Sequence, residues 1–228
     1  MGARATGVVA LAWAVTAGVA APEPPLWPDR FHVMSAQTTP GGKDVVHLFY
    51  DWPGGRNLNV ITGQALERAG KGTLWDFERQ DGLTFYYTPR TRECRTIDMK
   101  YGLLPPTWLR DKPAAELVGQ GVTVGPFRCN VWTKGESDTP GVPFITYYAE
   151  EQTDRPVRWA FYTGQELDII MYAAGETLPE VEWQLPPYCQ GGMGAAPATP
   201  AGSSAGQALL DAWHARIAAT LDQAAGAR

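Results

Sequence analysis

Three histidines, one adjacent pair of glutamates and three cysteines are the first places to look for chemistry in this 228-residue chain. His47 sits in an apolar strand pattern, where a satisfied core histidine is the expected role rather than a general base. His32 falls near the start of the first strand, and His214 falls in the C-terminal tail. Glu150-Glu151 could in principle supply the two carboxylates of glycosidic chemistry, but the pair stands at a strand end before a turn, and a solvated turn is the expectation. The chain contains no Gly-x-Ser-x-Gly elbow, no P-loop and no His-Glu-x-x-His. Cys94, Cys129 and Cys189 are too widely spaced for a zinc site. In an oxidising compartment they make one bridge and one leftover thiol, with three pairings open.

The stronger signal is aromatic. Phe85, Tyr87, Trp132, Tyr148, Trp159, Phe161 and Tyr172 stud strands that a curved sheet would bring together. Core packing is the plain reading of any one of them. Collectively, a half-barrel with so many rings and no covering helices has trouble filling its concave face. An apolar pocket with a few polar groups is the binding site such a shape offers. Tyr and Trp would serve equally as stacking platforms for sugars.

The elements that must position these rings are short strands. Alternation and turn signals predict strands over 31–39, 44–51, 56–62, 72–79, 83–87, 94–99, 127–134, 142–150, 157–162 and 167–173. In 44–51, Val45, His47 and Phe49 oppose Val46, Leu48 and Tyr50, and two apolar faces predict a central strand. Trp52-Pro53-Gly54-Gly55 is a hairpin turn leading to a strand with Leu58 and Val60 on one side and Arg56, Asn57 and Asn59 at or near the surface. In the next strand, Leu74, Asp76 and Glu78 oppose Trp75 and Phe77. Residues 64–71 suit a short helical turn. Residues 101–125 read as one long crossing connection pinned by Trp108, closing the barrel end. Residues 180–189 are extended and end at Cys189. About ten short strands without βαβ alternation predict a mainly β fold, a curved antiparallel sheet or half-barrel with little helix.

Composition sets the surroundings. Hydrophobic residues make up 44% of the chain and aromatics 11%, enough for a sizeable core. The net charge of −5 and the absence of a basic tract argue against nucleic acid or an anionic membrane surface as partner. Residues 1–21 have the charged start, apolar run and small-residue end of a secretory signal peptide. Residues 22–189 are then a single β domain opened by a Pro-rich lead-in. Residues 190–206 have the composition of a disordered linker, and 207–228 of a weak, Ala-rich helical tail.

The runs FHVMSAQ, DVVHLFYDWPGGRNLNVI, LTFYYTPRTRECRTI, GLLPPTWL, FRCNVW, PVRWAFYTG and WQLPPYC resemble a group of uncharacterised secreted plant and algal proteins, to which a glycosyltransferase activity is sometimes attached. More distantly, the strand–turn–strand FYYT…TRECRTI and the late Pro-x-x-Cys resemble the ependymin-related proteins. That resemblance implies a curved sheet of the lipoprotein-carrier (LolA-like) type around a deep apolar pocket. It implies a Cys94–Cys189 bridge that leaves Cys129 as a buried thiol. Calcium enters only through the same resemblance; the residues themselves suggest no metal and no cofactor. The chain also lacks the Asp-x-Asp motif that many glycosyltransferases use for a metal.

The functional expectation is a secreted protein, extracellular or in an endomembrane lumen, holding a hydrophobic ligand such as a lipid or fatty acid, and not leaning toward enzymatic activity. The alternatives are a carbohydrate-binding or glycosyl-transferring protein and an adhesion or matrix module. A homodimer stays open.

Overall fold

The first and last strands of the sheet lie side by side at its centre. In the computed structural model, which describes residues 21–39, 42–137 and 139–189, eleven strands form one antiparallel sheet. They are β1 (Arg30–Thr39), β2 (Gly42–Asp51), β3 (Arg56–Gly63), β4 (Leu74–Arg79), β5 (Leu83–Thr88), β6 (Glu93–Asp98), β7 (Glu116–Val124), β8 (Phe127–Glu136), β9 (Pro143–Glu150), β10 (Pro156–Phe161) and β11 (Glu166–Ala174). The order across the sheet is β6-β5-β4-β3-β2-β1-β11-β10-β9-β8-β7. Two meanders therefore meet at the β1–β11 seam, and the β6–β7 connection must run from one edge of the sheet to the other. The expected signal peptide, the 190–206 linker, the tail helix and His214 lie outside the described residues.

The strand expectations hold closely, and the expected helical turn is α1 (Gln64–Arg68), with Leu66 buried. β7 is the exception. Its sequence, ELVGQGVTV, carries two glycines and alternates weakly, a pattern that predicts loop. Pairing with β8 on one side supplies what propensity does not, and register shifts at Gly119 absorb the irregularity. The remaining connection crosses the concave face rather than closing an end. It lays Leu103, Leu104, Trp108, Leu109 and Ala115 into the interior.

Straps cross both faces of the sheet, and on the concave side α1 adds Leu66 against Val46, Ile61 and Leu74. On the concave side, the connector packs with the N-terminal lead-in. The Trp27 ring makes edge contacts with Phe31, Tyr50 and Trp108 at 5.2–5.5 Å between centroids, and its backbone N–H donates to Pro106 O at 3.0 Å. Lys134 holds the far end of the connector: its buried Nζ donates to the carbonyls of Asp111 and Pro113 at 2.8 and 2.7 Å. Burial lowers the Lys134 pKa, with Asp111 opposing the shift.

On the convex side, residues 178–189 lie over β3–β6. Trp183 and Cys189 pack on Leu58, Phe77, Phe85 and Tyr87. The Cys94–Cys189 disulfide, with its Cα atoms 5.3 Å apart, fixes this strap to edge strand β6, the pairing implied by the resemblance. Arg56 grips it from the other side. Its Nη1 and Nη2 donate to the Glu180 carboxylate at 2.7 and 2.6 Å, and its guanidinium lies 4.5 Å from the Trp183 ring centroid. Arg56 is itself held by Asp51, which also accepts from Arg30 and from the Gly54 N–H. A side chain at Gly54 would collide with that carboxylate, so the turn requires glycine there.

Candidate functional site

The sheet inverts the usual polarity of a half-covered strand pair at β3–β4. Register pairs Tyr50 with Asn57, Leu48 with Asn59 and Val46 with Ile61, and Asn57 with Glu78 and Asn59 with Asp76. Because facing residues share a side of the sheet, Asn57, Asn59, Asp76 and Glu78 all point to the concave face. Leu58, Val60, Trp75 and Phe77 point outward, under the C-terminal strap. Asn57 and Asn59, expected near the surface, are thus interior. The strap makes the outer face apolar, and the polar residues take the inner one.

They floor a cavity of about 90 Å³ at the centre of the concave face. Its apolar walls are Val33, Val46, Leu48, Ile61 and Leu167 together with Trp159 and Phe161; Trp27, Leu103 and Leu104 belong to the straps that cross it. Ser35, Gln37 and Gln165 complete the polar lining. The Tyr50 hydroxyl donates to Leu104 O at 2.8 Å and so ties one strap to the wall. Burial, with Asp29 adding to it, pushes that phenol far above its ordinary pKa, so it stays protonated and donating. The Asn59 amide donates to Asp76 at 3.2 Å. Among the described residues, four buried polar atoms of the lining residues have no hydrogen-bond partner: Ser35 Oγ, Asn57 Oδ1, Gln165 Oε1 and the Trp159 indole nitrogen.

The seven aromatic candidates are divided by the sheet. Trp159 and Phe161 line the cavity. Trp132 is in the same core cluster but not in the cavity wall, and Tyr172 packs against that cluster half-buried, with burial pushing its hydroxyl up to about 12. Tyr148 faces the convex side, opposite Arg158 in register. Phe85 and Tyr87 lie under the strap on that same side. Tyr87 borders an open groove of about 460 Å³ with Trp75, Tyr188, Arg92 and Pro187. No single site gathers the set.

The remaining candidates are quiet. His47 is not a core residue: it is half-buried on the convex side, 3.0 Å from the His32 ring nitrogen. His32 stacks on Phe49, and burial together with His47 lowers its pKa, against a smaller upward pull from Glu176. Glu150 accepts from Thr153, and Glu151 from Arg128, in the turn after β9. Cys129 is a buried free thiol whose pKa is raised by burial and by Glu150 and Glu151. Among the described residues no cluster of three or more His, Cys, Asp or Glu could hold a metal, and no helix is long and apolar enough to cross a membrane.

The polar floor is hidden from local pattern because an Asn or Asp in a strand reads as solvent-facing. Its signal was the phase: Leu58 and Val60, and Trp75 and Phe77, alternate with polar residues in two strands joined in one antiparallel register.

Comparison with known proteins gives a family. Among solved structures, the fold is similar to an uncharacterized conserved protein from Thermus thermophilus, with TM-score 0.48 and 11% identity over 70% of this chain and 87% of that one. It is also similar to the MucA/MucB complex of Pseudomonas aeruginosa, with TM-score 0.41 and 12% identity over 71% of this chain and 57% of that one. A DUF1329 family protein from Desulfovibrio piger gives TM-score 0.38 and 9% identity over 69% and 90%. No curated protein matches the sequence. These comparisons show no link to the plant, algal or ependymin-related proteins. A family model does match residues 26–189, which hold every strand and both straps, and the chain belongs to that family, the domain of unknown function DUF8395.

Proposed function

We propose that this is an extracytoplasmic binding protein that takes a hydrophobic ligand into the concave face of its sheet. The observation that carries the reading is the central cavity, walled by Trp159, Phe161, Leu48 and Ile61 beside a packed apolar cluster. Close-packed interiors do not leave such space by default. At about 90 Å³ it accepts one end of a ligand or a small molecule, well short of the roughly 300 Å³ at which drug-sized pockets begin. A whole acyl chain would require the connector at Leu103 and Leu104 to lift. The Cys94–Cys189 bridge fits an oxidising compartment, which supports residues 1–21 as a signal peptide and 22–189 as the exported domain.

The test is native mass spectrometry and organic extraction of protein from a secretory host, alongside Leu48→Phe, which places a larger side chain at the cavity wall. A co-purifying ligand that Leu48→Phe loses while retaining its circular dichroism supports the reading. A ligand-free mass that takes up no added lipid refutes it.

A second reading, sugar binding, has its own observation. Trp75 and Tyr87 stack 5.6 Å apart beside Tyr188 in the open convex groove, a platform suited to pyranose faces. Glycan-array binding that Trp75→Ala abolishes would establish it, and no array signal would remove it.

A further inference from the structure

We propose that the cavity selects ligands whose polar end donates hydrogen bonds and carries no negative charge, such as an ammonium or a hydroxyl, and rejects carboxylates. This deepens the binding function proposed above and rests on it.

The lining is sorted by chemistry. Its apolar side is Val33, Leu48, Ile61, Phe161 and Leu167. Its acidic members are Asp76 and Glu78, 4% and 2% exposed, and among the described residues no Lys, Arg or His lines it. Of the lining's four unpartnered polar atoms, three can accept and one, the Trp159 indole N–H, donates, so acceptors prevail. Asn57 Oδ1 and Gln165 Oε1 are acceptors, and the Ser35 hydroxyl can act as one. All three belong to residues less than a tenth exposed and have no partner among the described residues.

A buried unpartnered acceptor is costly until something donates to it. A ligand that arrives with N–H or O–H groups removes that cost. A ligand carboxylate brings only more acceptors and sets a third acidic group beside Asp76 and Glu78, in a wall where water screens little. The fatty-acid anion, the first guest suggested by an apolar pocket, is the wrong one here. An apolar body with an amine or hydroxyl end matches both halves of the lining.

The experiment compares octylamine, 1-octanol and octanoate, three guests with one chain and different heads, by isothermal titration at pH 7 against the intact exported domain. Octylamine is expected to bind at least tenfold more tightly than octanoate, with 1-octanol also ahead of octanoate. An Asp76→Asn/Glu78→Gln protein should bring the amine-to-carboxylate ratio down by tenfold or more. If octanoate binds as tightly as octylamine or more so, the selection is overturned while the binding function survives. If the ratio is unchanged in a folded double variant, the carboxylates are not its source and the proposal falls. Should that variant not fold, the ranking of the three guests on the unaltered protein decides alone. If none of the three binds, both the selection and the binding function are overturned.

Discussion

Removing the disulfide through Cys94→Ala/Cys189→Ala should lower stability chiefly by freeing the unfolded chain. The bridge closes a loop with a sequence separation of 95 residues. In the loop-closure model, a link of that span removes about 16 cal/mol/K from the unfolded ensemble, or about 4.7 kcal/mol at room temperature. For a domain of this size each kcal/mol shifts Tm by roughly 2–4 °C, so the double variant should melt roughly 10–20 °C lower. The strap has other attachments: Glu180 to Arg56, and Trp183 within the outer apolar cluster. It should therefore stay docked. Urea denaturation separates the contributions, because an unfolded chain released from a cross-link expands and exposes more surface, raising m. A midpoint that falls with m rising is the expected result. A loss below about 1 kcal/mol would refute the loop-closure argument. A full loss with m unchanged would place the effect in native strap packing instead.

Three further outcomes follow from the geometry. Lys134→Met leaves the Asp111 and Pro113 carbonyls without their buried donor and should cost about 2–3 kcal/mol in urea denaturation; a neutral result would mean that the connector is held elsewhere. Burial alone would raise the Asp51 pKa, but hydrogen bonds from Arg30, Arg56 and the Gly54 N–H outweigh it and hold the carboxyl below its ordinary 3.8. Its stabilisation is thus present above 3.8 and lost as pH falls through the lower folded value. Asp51→Asn should cost about 2–3 kcal/mol at about pH 7, with the gap closing in strong acid. His32, lowered from 6.5, favours the neutral form in the fold, so stability should decline as pH drops below 6.5 toward the folded value; His32→Gln should flatten that part of the thermal-midpoint profile, and an unaltered slope would exclude His32 as its source.

Most of the architecture could be read from local pattern, because every strand but β7 alternates strongly or is bounded by Pro and Gly turns. β7 could not, since its glycines carry no propensity and only its neighbour β8 makes it a strand. The aromatic set marked the cavity in part: Trp159 and Phe161 reach it because β10 turns both toward the concave face. Phe85 and Tyr87 fall on the opposite side because the strap at 178–189 converts the outer surface of β3–β5 into a second core. A strand shows which residues share a face, not which face becomes the interior. That decision belongs to the straps, whose contacts are remote in sequence. The same blind spot sent Asn57 and Asn59 to the surface and concealed the polar floor.

The seam at the middle of the sheet also governs the order in which the molecule can be built. Phe31 pairs with Ala174 and Thr38 with Glu166, so the first strand to leave the ribosome waits for the last. Until then the β1–β6 meander offers β1 as an open edge. That edge, RFHVMSAQTT, has neither proline nor lysine to discourage pairing with another chain. Contacts of such separation form late and slowly. A nascent or truncated chain ending before Glu166 would carry its future centre as an exposed, adhesive border. For such a protein the hazardous stage comes before completion, and a holding chaperone, or β11 supplied as a separate peptide, would act at that border.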